Sequence, residues 1–92
     1  MNDIDELLCS TPSVAAMFRL QWEEVQQNWV LLYPEGMVKL NGSAGEIMRR
    51  LNGEKTVQAL IDDLEKDFGA SGLQSDVLAF LDIAQTQGWI QS

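Results

Sequence analysis

At 92 residues with 46% hydrophobic content, the chain holds enough apolar material for one small domain and too much for wholesale disorder. Fourteen acidic residues against six basic ones leave a net charge of −8, the wrong sign for a surface that neutralises nucleic-acid phosphates. The lack of histidine and the single cysteine, Cys9, exclude imidazole triads, iron–sulfur clusters, structural zinc and an internal disulfide.

No phosphate-binding glycine loop or dinucleotide-binding turn occurs, and no pair of carboxylates is marked out for acid–base work. The reading is therefore of a protein that is not an enzyme, with no catalytic residues, no metal site and no cofactor. No apolar run approaches the ~20 residues of a membrane span. The acidic opening "MNDIDELL" is unlike the basic start of a secretory signal, so a cytoplasmic protein with no membrane partner is expected.

In chain order, residues 1–16 read as a tail, and the folded domain is expected over 17–92. "DIDELL" can form a turn of helix with Ile4, Leu7 and Leu8 on one side, but "STPSVAA" interrupts it. "FRLQWE" (18–23) alternates, with Phe18, Leu20 and Trp22 on one face of a half-buried strand. "EVQQN" turns the chain into "WVLLY" (29–33), apolar on both faces and so suited to the middle of a sheet. Pro34 and Gly36 suit a three-residue hairpin loop with a positive φ at the glycine. "MVKL" (37–40) follows as a third strand, on the edge of the meander.

"SAGE" (43–46) has the form of a capping box, and Ala44, Ile47, Met48 and Leu51 make one helical stripe before Asn52–Gly53 stops it. Thr56 caps a second helix with the stripe Val57, Leu60, Ile61, Leu64 and Phe68. Its acidic face, "DD" and "EKD", reads as solvated rather than metal-binding, because the spacing fits no calcium loop. A third helix runs from Leu73 to Gln87 with Leu73, Val77, Phe80, Leu81 and Ala84 toward the core and Leu78 and Ile83 as surplus apolar flanks. "GWI" then folds back on the helix end or forms a short wing strand. The order predicts a small winged-helix-like α+β domain: a three-stranded antiparallel meander followed by three helices.

Many DNA-binding domains share that outline, but their last helix presents basic or amide side chains to the bases. Here the third helix has no lysine or arginine and carries Asp76 and Asp82, so nucleic acid is not an expected partner. The edge strand offers a different use, since its unpaired N–H and C=O groups can take an extended peptide as a fourth strand. Lys39 can equally serve to discourage such pairing. About five ladder hydrogen bonds at ~1 kcal/mol net give ~5 kcal/mol, and ordering five peptide residues costs ~1–2 kcal/mol each. Main-chain pairing thus breaks even at best, and binding needs apolar contacts beside the edge. Val77, Leu78 and Leu81 of the third helix are the candidates for that wall, unless the core needs them all.

The segments "WVLLYPEGMVKLN" with "SAGEI", "LNGEKTVQALIDDLEKDFG" and "DVLAFLDIAQTQGWI" closely resemble the pyrroloquinoline quinone (PQQ) biosynthesis protein D family, over roughly residues 18–90. That resemblance implies a PqqD-like peptide chaperone, a recognition element for ribosomally made and modified peptides. Such a protein binds the precursor peptide PqqA and presents it to the radical-SAM enzyme PqqE without doing chemistry itself. In related recognition domains the leader peptide adds as a strand beside the third strand and against the third helix. The matching positions here are Met37, Val38, Lys39 and Leu40, with Val77, Leu78 and Leu81 opposite. The first 16 residues do not match the family's lead-in, and a homodimer or self-docking through them stays open. Recognition in another modified-peptide pathway, or a winged-helix DNA-binding regulator, are the alternative readings.

Overall fold

The apolar run at 29–33 needs partners on both sides, and the computed structural model shows how it obtains them. The structure describes residues 3–40 and 42–91; Met1, Asn2, Asn41 and Ser92 lie outside the described residues. The elements are α1 (Asp3–Cys9), β1 (Ser13–Val14), β2 (Arg19–Glu23), β3 (Asn28–Tyr33), β4 (Gly36–Leu40), α2 (Gly42–Met48), α3 (Val57–Phe68), α4 (Gln74–Thr86) and β5 (Ile90–Gln91). β2, β3 and β4 form an antiparallel sheet with β3 in the middle, and β1 pairs with β5 in a separate two-stranded sheet. The α+β class and the three-stranded meander expected from the sequence are therefore what the chain adopts.

Register explains the faces. Trp22 pairs with Trp29, which pairs with Leu40, and Leu20 pairs with Leu31, which pairs with Val38. Cross-strand partners share a face, so these side chains line the side of the sheet that meets the helices. Aromatic rings reinforce it: Phe18 and Tyr33 lie 5.5 Å apart, as do Trp22 and Trp29. Leu31, Leu40, Ile47, Met48, Leu60, Ile61, Val77 and Leu81 belong to the one core cluster of buried residues that joins sheet to helices. On the opposite face Val30, 1% exposed, sits between its partners Gln21 and Lys39.

Four expectations need correction. The hairpin loop is two residues, Pro34–Glu35: Tyr33 pairs directly with Gly36, which opens β4 and is not among the positive-φ glycines. Proline already holds φ near −65°, so the chain reverses there without a left-handed residue. The expected capping box does not form. Ser43 lies inside α2, and the Glu46 carboxylate accepts instead from Arg49 Nε at 3.0 Å and Arg50 Nη1 at 2.7 Å. Phe68 is 53% exposed rather than core, because it is the last residue of α3, one turn beyond buried Leu64 and just before the left-handed Gly69. Finally, the segment expected as a tail is folded from Asp3 onward.

That segment is stapled by backbone hydrogen bonds to distant residues. Val57 N–H donates to the Ser10 carbonyl (3.0 Å), Gly53 N–H to Pro12 (3.2 Å) and Ala15 N–H to Trp89 (2.8 Å). Leu8 and Val14 pack against the core. At the other end Trp89 both folds back and leads into a strand. Its N–H donates to Ala84 (2.9 Å), its ring lies 6.4 Å from Phe80, and β5 follows.

The helices are fixed by side-chain bonds that sequence spacing foretells in part. Thr56 Oγ1 accepts from Ala59 N–H at 3.1 Å and caps α3 as expected. Arg50, its side chain only 7% exposed, donates to Glu46 and to Asp67 and so ties α2 to α3. Lys55 pairs with Asp63, and Glu65 Oε2 accepts from Leu73 N–H at 3.0 Å ahead of α4. The acidic face of α3 thus organises its neighbours rather than simply facing solvent.

Two outcomes follow. A Cβ at Gly45 would lie 2.9 Å from Trp29 Cδ1 and 3.1 Å from Trp29 Cβ, while the indole is already packed against Trp22. Gly45→Ala therefore lowers the thermal midpoint, at a cost of ~1–3 kcal/mol, read by calorimetric melting. The Arg50 hydrogen bond holds the Glu46 carboxyl below its ordinary value of 4.5. The folded state then binds that proton less readily than the unfolded chain, so the stabilisation is present above pH 4.5 and is lost as pH falls through the folded value. Urea unfolding between pH 7 and 3 shows a shallower acid decline in Arg50→Met than in the parent.

Candidate peptide-binding site

β4 forms because Val38 and Leu40 alternate toward the core while Met37 and Lys39 point the other way. It pairs with β3 alone, so its far side is an unpaired backbone edge among the described residues. Met37 is 48% exposed, Val38 half-buried, Lys39 exposed and Leu40 2% exposed. Lys39 has no ion-pair partner among the described residues. An edge carrying one lysine and one exposed methionine offers a strand-like ligand both hydrogen bonds and a cation.

α4 turns Val77, Leu81 and Ala84 into the core, with exposures of 2%, 8% and 0%. Leu78 is half-buried at the edge of that stripe and Ile83 is exposed. The seven residues expected at the site therefore divide into two sets. Leu40, Val77 and Leu81 are members of the one core cluster that sheet and helices share. Met37, Val38, Lys39 and Leu78 retain surface that a ligand can touch.

Leu78 and Leu81 also border a cleft of about 200 Å³, but none of Met37, Val38, Lys39 and Leu40 lines it. Its other walls are Leu7 and Pro12 from the N-terminal segment, Val57 of α3 and Ile90 of β5. Sequence reasoning assigned none of these to a site: it placed Val57 in the stripe of the second helix, Ile90 in the closing "GWI", Leu7 on one side of a first helical turn and Pro12 in the stretch that interrupts it. Asp82 and Gln85 are the polar groups that α4 places at this cleft.

The site has little else to offer chemically. Among the described residues no group of three or more histidine, cysteine, aspartate or glutamate side chains gathers to hold a metal. No helix among them is long and apolar enough to cross a membrane. What the surface presents is backbone edge, apolar flank and a single cation, which together suit binding of an extended chain.

Comparison with known proteins agrees with that class. A solution NMR structure of the PqqD truncation of Methylobacterium extorquens PqqCD, described as a functional and stand-alone RiPP recognition element, shares the fold. Its TM-score is 0.75 at 22% identity, covering 96% of this chain and 99% of that one. Residues 28–90 match the family model of coenzyme PQQ synthesis protein D (PqqD), and the chain belongs to that family. The PqqA binding protein of Stutzerimonas stutzeri is 45% identical over 91% of this chain and 92% of its own length. That of Azotobacter vinelandii is 44% identical over 99% and 92%. These relatives are binding proteins, and the family is not one of enzymes.

The two sets of residues respond differently to truncation. Leu81→Ala and Leu40→Ala each destabilise the fold by ~2–5 kcal/mol in urea unfolding, because each leaves a cavity in the core. Met37→Ala and Lys39→Ala change it by under ~0.5 kcal/mol, since neither side chain is buried.

Proposed function

We propose that the chain is a peptide chaperone of PQQ cofactor biosynthesis that binds the precursor peptide PqqA by strand addition to β4 and presents it to the radical-SAM enzyme PqqE. The unpaired edge of β4 carries this reading, with α4 anchored in the same core cluster as Leu40. Support comes also from relatives named as PqqA binding proteins and from a solved neighbour that acts as a recognition element.

In this reading the peptide lies antiparallel or parallel to β4, with alternate side chains falling on the two faces of the extended sheet. Those on the core side meet Val38 and Leu78; those on the other side meet Met37 and Lys39, where an acidic peptide residue finds a cation. Val77, Leu81 and Leu40 act from beneath by fixing the spacing between strand and helix. The protein then works by concentrating a flexible substrate and setting its register near the enzyme. Ordering of the peptide on docking keeps the affinity modest and hand-off ready. The setting is the cytoplasm, where precursor and enzyme meet.

Calorimetry with synthetic PqqA gives saturable binding, weakened on the order of tenfold by Leu78→Asp, a loss of about 1.4 kcal/mol. Labelled protein shows amide shifts along β4 and α4 together. Full affinity in Leu78→Asp, with shifts confined to α1 or α3, would reject this surface.

A further inference from the structure

One face of the β2-β3-β4 sheet meets the helices, and the opposite, outer face carries its own pattern of side chains. Register sets it out in rows: Arg19 pairs with Leu32 and Leu32 with Met37, while Gln21 pairs with Val30 and Val30 with Lys39. Arg19, Gln21, Met37 and Lys39 are exposed and Leu32 is half-buried. Glu23, opposite Asn28, is the only acid in the three strands and stands at a corner of the face. Among the described residues Arg49, Arg50 and Lys55 are held in ion pairs, whereas Arg19, Lys39 and Lys66 are in none. A chain of net charge −8 thus places two of its three uncommitted cations on one sheet face.

The two cations stand on a diagonal. Two strand spacings of ~4.8 Å and two residues of ~3.4 Å put their backbones about 12 Å apart, with Leu32 and Val30 between them. A sheet face bearing apolar side chains is suited to burial under a second layer, commonly a helix. On an α-helix, carboxylates about seven residues apart share one side and lie ~10.5 Å apart along the axis, within reach of flexible lysine and arginine side chains.

We infer that the outer face of this sheet is a docking surface for an acidic amphipathic helix of another protein. The helix crosses the diagonal with its apolar side on Leu32 and Met37 and a carboxylate at each end, one on Arg19 and one on Lys39. Charge complementarity selects this occupant. A basic helix would meet both cations as like charges. Nucleic acid would find only two cations on a chain whose net charge of −8 repels it. This surface goes beyond strand addition at β4, because a helix lying on side chains uses none of that strand's backbone hydrogen bonds.

Fluorescence anisotropy with a labelled synthetic helical peptide tests it, using leucine and alanine along one side and two glutamates about seven residues apart. This peptide binds the full chain saturably, and its counterpart with lysine in place of both glutamates does not. Arg19→Glu and Lys39→Glu each raise the Kd on the order of tenfold, and the double variant accepts the lysine peptide instead. Circular dichroism confirms that these exposed substitutions leave the fold intact. Methyl spectra of the labelled protein shift at Val30, Leu32 and Met37. PqqA is absent from the assay, so its failure leaves the β4 reading standing, and the converse holds. Equal affinity for both peptides, no binding of the glutamate peptide at near-millimolar concentration, or shifts confined to the helices overturns the proposal. So does a DNA duplex that displaces the peptide from the same face.

Discussion

An open sheet of three strands has two unpaired edges, and the organisation of this small domain depends on how they are left. β3 is satisfied on both sides by β2 and β4. Its central position follows from apolar side chains on both faces, with Leu31 wholly buried toward the helices and Val30 buried between Gln21 and Lys39. The chain does contain two further strands, β1 and β5, yet it pairs them with each other instead of using either to cover the sheet. Both backbone edges of the main sheet therefore remain available for intermolecular hydrogen bonds.

The core beneath the sheet gives those edges rigidity. Ile47 and Met48 of α2, Leu60 and Ile61 of α3 and Val77 and Leu81 of α4 converge on Leu31 and Leu40. Arg50 bridges the first two of these helices through Glu46 and Asp67. A strand that is fixed before a ligand arrives loses no conformational entropy on binding, so the ordering cost falls on the ligand alone. With main-chain pairing near break-even, the few partly exposed apolar groups beside each edge weigh heavily: Val38, Met37 and Leu78 at one, Leu20 and Trp22 at the other. The overall negative charge acts alongside this by keeping an edge-bearing protein soluble.

The N-terminal segment shows why local reading stopped short. Serine, threonine and proline around residues 10–13 are weak formers of regular structure, and of their backbone groups only the Ser10 N–H finds a partner nearby in sequence, the Leu7 carbonyl. The other partners are Gly53, Val57, Gln91 and Asn52, some forty to eighty residues away. Once those bonds form, α1 packs on α3 and supplies Leu7 and Pro12 to a cleft with Leu78 and Leu81.

Period and chemistry are local, and by itself the sequence determined what is local. The two-residue alternation of Phe18, Leu20 and Trp22, the doubly apolar run at 29–33, the Thr56 cap and the helical stripes of α2, α3 and α4 were all legible in it. So were the missing catalytic groups and the edge position of β4. The tertiary structure alone decided which apolar residues had surface to spare. Helical spacing places Val77, Leu78 and Leu81 within one half of α4, and only packing in the folded core buries the first and third while leaving the second half-open. Burial is a sum over neighbours distant in sequence, and no single helix or strand contains that sum.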